Sequence, residues 1–452
     1  MITRRQFLIG ISAMAASALL PLGTGCQRKP AQAGISSEEQ KEIPLFIPDC
    51  DWIIDGAVVI DGSGGSAMQG RIAVKGDKIV AVGDFQINEK ASLIDAQGLV
   101  VTPGFIDIHT HTEDYILAGE SMAPFLSQGV TTQVGGNCGR SPRDIKGYFR
   151  QLPATKINYG LFIGYRTLRE LAGVSGSKKA SADDIITMQG HLAQAMADGA
   201  LGLSTGLEYA PQHLATEEEL ISLCRVLRDY GGFYSTHIRN EYGGVVQALD
   251  EAIRIGLAAE VPVQYSHIKA GYPENWDKTE VLLAMLADAN RKGLDITADV
   301  YPYTFSSTDL GKKPLIHSIS EQGMEAAAAD PFVFFGSDTG IYSGGRATHP
   351  RAYGTFPRVL AMLVRDKKII SLETAVAKMT SMPARRLRLA DRGLLKAGYK
   401  ADIVLLDPAK VRDRATQDSP MLLSEGINKV WINGRLAWEE GSTRTVAGEK
   451  IR

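Results

Sequence analysis

Four of the chain's eight histidines fall at the ends of strand-like runs, where side chains from different strands can converge. Phe105-Ile106-Asp107-Ile108-His109-Thr110-His111 ends in a histidine pair. Residues i and i+2 of a strand share a face, so both imidazoles are expected to point the same way. Further runs end Gly135-Gly136-Asn137-Cys138, Thr236-His237, Ser266-His267 and Gly336-Ser337-Asp338. Taken singly, a histidine at a strand end is an ordinary hydrogen-bonded residue, Cys138 a small buried apolar group and Asp338 a helix cap. Taken together, His109, His111, Cys138, His237, His267 and Asp338 make a mixed nitrogen, sulfur and oxygen donor set of the kind that suits zinc.

Such a set needs elements that gather distant residues. Strand-like runs occur at Phe105–His109, Thr131–Gly135, Tyr159–Ile163, Ala200–Ser204, Gly232–Thr236, Val261–Ser266, Asp295–Val300 and Phe332–Gly336. Helix-period segments such as Glu217–Asp229 and Val245–Ile255 lie between them. Near-continuous apolar strands separated by crossovers indicate an α/β fold, a parallel (β/α)8 TIM-like barrel over residues 101–397 with its site at the carboxyl ends of the strands. A doubly wound open sheet is the alternative. Short β-like runs with Gly-rich turns fill 49–100 and recur at 398–450, which predicts a small β-sandwich domain built from both terminal flanks.

Composition excludes several classes. Lysine and arginine number 49 against 51 acidic residues, a formal charge of −2, so bulk attraction to nucleic acid is not expected. Four cysteines in 452 residues are no disulfide scaffold, and Cys50 and Cys224 are expected as buried thiols. Residues 1–30 carry Arg4-Arg5 before an apolar run from Phe7 to Leu22, a signal-peptide pattern that resembles the twin-arginine export signal. A membrane anchor is the other reading of that run. Leu22-Gly23-Thr24-Gly25-Cys26 is an imperfect lipobox, and Ala31-Gln32-Ala33 would serve an ordinary signal peptidase. The expected location is the periplasm or cell envelope, with the twin-arginine machinery as partner and a lipid anchor at Cys26 as one outcome. Polar residues 31–48 read as a linker.

Pro103-Gly104-Phe105-Ile106-Asp107-Ile108-His109-Thr110-His111 resembles the first-strand signature of the amidohydrolase superfamily. Gly136-Asn137-Cys138-Gly139, Ser204-Thr205-Gly206-Leu207, Thr236-His237-Ile238-Arg239-Asn240-Glu241, Ser266-His267-Ile268-Lys269, Ala298-Asp299-Val300-Tyr301 and His349-Pro350-Arg351 narrow the resemblance to the N-acyl-D-amino-acid deacylase (D-aminoacylase) family, over roughly residues 50–450. The resemblance implies one metal position on His109 and His111, another on His237 and His267, and Cys138 shared between them, with one or two zinc ions per chain. Many relatives outside this family use a strand-four lysine as the bridge; here that run ends Leu203-Ser204-Thr205-Gly206-Leu207-Glu208, leaving Cys138, or else Glu208, to do so.

The implied activity is hydrolysis of the amide bond of N-acyl-D-amino acids, or of related D-residue peptides. Zinc lowers the pKa of bound water towards ~7 and polarises the carbonyl. Asp338 is expected to accept the water's proton and pass it to the leaving amine. Lys269 and Arg351 are suited to clamp the substrate carboxylate, with Tyr301 and Ser307 as supporting hydroxyls. The chain departs from the family in two places. Only 32 residues separate Tyr303 from Gly336, where relatives carry a longer lid, so a more open mouth is expected. Tyr165 stands where a histidine is usual, and its hydroxyl is the expected substitute for stabilising the carbonyl. A cyclic-amide hydrolase or deaminase on the same metal site, and an envelope binding protein with impaired catalysis, are the competing functions.

Overall fold

In the computed structural model of the chain, residues 46–154, 157–306, 316–444 and 447–451 are described. The signal expected over 1–30, Cys26 within it, all but the last three residues of the linker, and Ser307 lie outside the described residues.

Eight strand positions run in sequence order around a parallel barrel. They are Phe105–Asp107, Val130–Gly135, Asn158–Leu161 with Ile163–Gly164, Gly202–Gly206, Phe233–His237, Val263–Tyr265, Ile296–Val300 and Val333–Phe335. Each pairs in parallel with the next, and the third is interrupted at Phe162. There the Leu201 amide donates to the Leu161 carbonyl at 2.8 Å, carrying the ladder across the break. Closure comes just above strands one and eight, where Thr110 and His111 pair in parallel with Thr339 and Gly340. The Ser337 amide also donates to Asp107 Oδ1 at 2.9 Å. Each strand's residues are almost all buried, the expected state of a parallel sheet covered on both sides, so apolar runs rather than alternation mark them in the sequence.

The crossover helices follow simple rules. Glu217–Arg228 starts at Thr216, whose hydroxyl accepts from the Glu219 amide at 3.2 Å. Its first turn is acidic and its last holds Arg225 and Arg228, each complementing the helix dipole. Leu220, Leu223, Cys224 and Leu227 are buried at i, i+3, i+4 and i+7, the stripe that packs onto the barrel.

The two flanks meet in a single nine-stranded sheet. Trp52–Val59, Met68–Lys75, Lys78–Gly83, Ser92–Asp95 and Val100–Pro103 supply one end, and Ile403–Leu406, Ile427–Ile432, Arg435–Glu439 and Ser442–Thr443 the other. Antiparallel pairing of Val100–Pro103 with Ile403–Leu406 joins them, so the sheet extends to Pro103, past residue 100. A buried polar knot fixes it to the barrel. Asp402 accepts from Asn158 Nδ2 at 3.0 Å, from the Asn433 amide at 2.8 Å and from Arg392. Asn158 opens barrel strand three, so this knot sits at the face opposite the strands' carboxyl ends, where residues usually support the fold rather than the chemistry.

Candidate active site

The side chains expected to converge do so at the carboxyl ends of the strands. His109 Nε2 lies 3.5 Å from Cys138 Sγ and 3.4 Å from Asp338 Oδ1, and His111 Nε2 lies 3.3 Å from the same Asp338 oxygen. Cys138 Sγ is also 4.0 Å from His267 Nε2, which is 3.0 Å from His237 Nδ1. Three groups have donor atoms within 4.8 Å of one another: His109, His111 and Asp338; His109, Cys138 and His267; and His237, Glu241 and His267. Cys138 thus stands between the histidines of strand one and those of strands five and six. The local backbone is unusual: Cys138, His267 and Asp338 have φ of 53°, 43° and 50°. A non-glycine residue is held there only where its surroundings over-determine it. Gly136 (φ 78°) and Gly139 (φ 81°) bracket Cys138, and a Cβ on Gly139 would sit 1.9 Å from Gln212 Oε1, so this tight loop needs glycine.

A second layer orients these groups. Asp299 Oδ2 accepts from His109 Nδ1 at 3.1 Å, and its Oδ1 from Gln264 at 2.9 Å. Glu241 Oε1 lies 2.9 Å from His267 Nδ1, while Oε2 lies 2.9 Å from Lys269 Nζ. A carboxylate on one ring nitrogen fixes the tautomer and leaves the other nitrogen for a metal. Two residues apart after a strand-like run, Lys269 and His267 would share a face if the strand continued. Strand six ends at Tyr265, however, and it is the left-handed turn at His267 that brings Lys269 Nζ to 3.3 Å from His267 Nδ1. Arg351 NH1 lies 2.6 Å from Asp338 Oδ2, so both expected clamp cations already rest on carboxylates of the cluster. The Tyr301 ring lies under them, 4.9 Å from the Arg351 guanidinium carbon and 5.9 Å from Lys269 Nζ. Its buried hydroxyl has no hydrogen-bond partner among the described residues. His349 Nδ1 accepts from the Arg351 amide at 3.0 Å, which anchors the start of the Arg351–Arg358 helix.

Tyr165 is not at the site. Its phenol is fully buried, donates to Glu219 Oε1 at 2.5 Å and accepts from Arg169 NH1 at 3.2 Å. It opens the Tyr165–Leu171 helix and points towards the neighbouring Glu217–Arg228 helix, so it cannot stabilise a carbonyl at the metal cluster. Tyr209 faces the cavity instead, with Oη 3.4 Å from His237 Nδ1. Tyr209, Glu241 and Asp299 are the functional residues that the strand-end reading passed over. Tyr209 follows strand four by three residues, and Glu241 lies four beyond His237, spacings that carry no signal until the loop turns are known.

The amidohydrolase family model matches residues 92–309 and 292–437. The chain is 36% identical to a D-aminoacylase of Alcaligenes xylosoxydans xylosoxydans, over 86% of this chain and 95% of the relative. It is 34% identical to an N-acyl-D-glutamate deacylase of the same organism, over 85% and 93%. A crystal structure of D-aminoacylase superposes with a TM-score of 0.83 at 34% identity, covering 89% of this chain and all of that one. So does N-acyl-D-glutamate deacylase from Bordetella bronchiseptica, complexed with zinc and a phosphonate mimic of the tetrahedral intermediate, at 0.83 and 30% identity over 90% and 100%. The chain belongs to the D-aminoacylase family of amidohydrolases.

In this D-aminoacylase relative the electrostatics suit a cation. Burial alone would raise the Cys138 thiol, but the His109 and His111 imidazoles hold it well below its ordinary range, which favours the thiolate over the thiol. Burial opposes charge on Asp338 too, yet Arg351 and His109 keep its carboxyl well below the usual range. Against burial, Cys138 and Asp338 push His111 up to about 10, and Glu241 pushes His237 up to about 9. The site is thus a dense lattice of opposite charges. Buried His237 Nε2 and Glu208 Oε2 have no hydrogen-bond partner among the described residues, as groups awaiting a ligand would. Thiolate, imidazole and carboxylate donors at this spacing fit zinc. The cluster opens into a cavity of about 980 Å³, at the upper end of the roughly 300–1,000 Å³ usual for small-molecule sites.

Proposed function

We propose that the enzyme hydrolyses the amide bond of N-acyl-D-amino acids, releasing a carboxylate and the free amino acid. The observation that carries this is Asp338: one carboxylate oxygen lies within 3.4 Å of both His109 Nε2 and His111 Nε2, while the other lies on Arg351. A carboxylate at the rim of a metal-ligand cluster and facing a cavity can hold a proton taken from water and deliver it to a departing amine. The relatives named above act on N-acyl-D-amino acids, and the site retains the chemistry their substrate requires. Zinc, one or two ions, is the cofactor, held by His109, His111, Cys138, His237, His267 and Asp338; when bound it activates water and polarises the amide carbonyl. Cys138, touching both histidine sets, serves as the shared ligand. Lys269, Arg351 and the Tyr301 hydroxyl bind the α-carboxylate; Ser307, outside the described residues, is assigned a supporting hydroxyl role by the family resemblance alone. Glu241 and Asp338 hold the two clamp cations in place until the substrate carboxylate arrives.

The chain's export, cleavage after the apolar run and lipidation at Cys26 are part of the same reading. Paired arginines ahead of an apolar stretch support it, and an envelope location would direct the enzyme to D-amino-acid derivatives there.

The test is amine release from paired N-acetyl-D- and N-acetyl-L-amino acids by zinc-loaded protein. Release from the D series, lowered about 10²–10⁴-fold by Asp338→Asn, is the expected result. Silence on both series with zinc bound would overturn the reading.

A further inference from the structure

The cavity has a wall that the chemistry above leaves unused. Its lining includes Arg140 and Arg166, from the segments that follow strands two and three. The carboxylate clamp comes from strands six and seven and the segment after strand eight. In an eight-stranded barrel whose strands run in sequence order, two and three lie across the axis from six and seven. A substrate held by its α-carboxylate at Lys269 and Arg351, with its amide at the histidine cluster, therefore sends its acyl group towards Arg140 and Arg166.

That wall is cationic. The exposed Arg140 side chain makes no ion pair or hydrogen bond among the described residues. Arg166 shares one carboxylate, Glu170, with Arg143, at 3.2 and 3.1 Å. Three arginines against one glutamate leave an excess of two positive charges here. Asp114, which makes no ion pair among the described residues, and Glu113, whose Oε1 accepts from the Gly136 amide, line the strand-one side of the mouth. The root of Arg140 is also fixed. Its amide donates to the Asn137 carbonyl at 3.2 Å, and the Gly139 amide to Ser204 Oγ at 3.0 Å. Being two residues from Cys138, its Cα lies within about 7 Å of that ligand's Cα, inside the reach of a short diacid.

Resting on the deacylase reading, we propose that Arg140 and Arg166 form an acyl-end subsite that selects N-acyl groups ending in an anion, such as succinyl or glutaryl. An N-acetyl group fills little of a cavity this size and reaches neither arginine. A terminal carboxylate does, and an arginine fork suits it.

The experiment uses zinc-loaded full-length enzyme and one D-amino acid carrying N-succinyl, N-glutaryl and their uncharged terminal-amide counterparts, with N-acetyl alongside. The read-out is the acid-to-amide ratio of kcat/KM, which cancels any general loss of activity. We expect the acids to be favoured roughly two- to fivefold, as a partly exposed ion pair allows. The preference should fall towards one at high salt and in Arg140→Gln combined with Arg166→Gln at unchanged zinc content. A ratio at or below one in the natural enzyme overturns the subsite, as does a ratio that the double substitution leaves intact. Turnover of N-acetyl-D substrates reports the deacylase reading separately. Were that to fail, calorimetric binding of the succinyl and succinamoyl ligands to the zinc-loaded protein would give the same ratio. A preference for the acid that the double substitution abolishes would then support the subsite, and a ratio at or below one would overturn it.

Discussion

At the scale of single residues, the site depends on carboxylates that touch no substrate. Asp299 accepts a hydrogen bond from His109 Nδ1, which leaves Nε2 to the cluster, and Glu241 Oε1 lies 2.9 Å from His267 Nδ1, whose Nε2 faces Cys138. Removing such a partner weakens metal binding about 10–100-fold in comparable sites. Asp299→Asn and Glu241→Gln are expected to do so here, measured as zinc content after dialysis against graded chelator. Glu241→Gln should in addition raise KM, because it releases Lys269 from its resting partner; Asp299→Asn should not. An unchanged zinc affinity in both variants would show that the ring orientations are fixed by packing alone. Most residues of the cluster are legible in the sequence because their types are rare and their positions are strand ends. Glu241 and Asp299 are not, since nothing in an acidic residue's own identity separates a histidine's partner from a solvated side chain.

At the scale of elements, one contact couples the fold to pH. Lys378, near the end of the Leu372–Met379 helix, is 2% exposed and donates to the carbonyls of Asp330 and Val333, where strand eight begins. Burial pushes its pKa down to about 8, with Asp330 opposing. In the unfolded chain the value is ordinary, about 10.4. Below pH 8 both states hold the proton and the folded protein bears the full cost of a buried cation. Between about pH 8 and 10.4 the unfolded state holds more protons, so this group's contribution to stability rises with pH. Lys378→Met removes that dependence. The melting temperature of the variant minus that of the natural enzyme should therefore decrease from pH 8 to pH 10, and a difference independent of pH would refute the assignment. The same scale explains the correction at Tyr165. Its position in the sequence, just after strand three, suits a site residue, but as the first residue of a helix its side chain swings outward to Glu219.

At the scale of the whole molecule, the ligand cluster is a clasp. His109, Cys138, His237, His267 and Asp338 come from the ends of strands one, two, five, six and eight, which are 229 residues apart at their extremes. A metal bound there stabilises only the folded chain, by about 4 kcal/mol at a free concentration a thousand times its dissociation constant. Stripping zinc with a chelator should lower the melting temperature, and restoring zinc should recover it. The barrel-base knot of Asp402, Arg392 and Asn158 lies at the other end and should leave that shift unaltered.

The barrel, the flanking sheet drawn from both ends and the six strand-end side chains that converge were legible in the amino-acid order. Those features are written in local signals: apolar runs of strand length, glycine turns, and histidines that are scarce enough to stand out. Tertiary structure alone decided which nitrogen each histidine presents, that Lys269 and Arg351 rest on Glu241 and Asp338, that Tyr209 rather than Tyr165 faces the cavity, and that Arg140 stands across the barrel from the clamp. Each of these depends on a loop's backbone angles or on the circular order of the strands. A left-handed turn at His267 or Cys138 redirects a side chain by most of a half-turn, and no periodicity in the sequence records it.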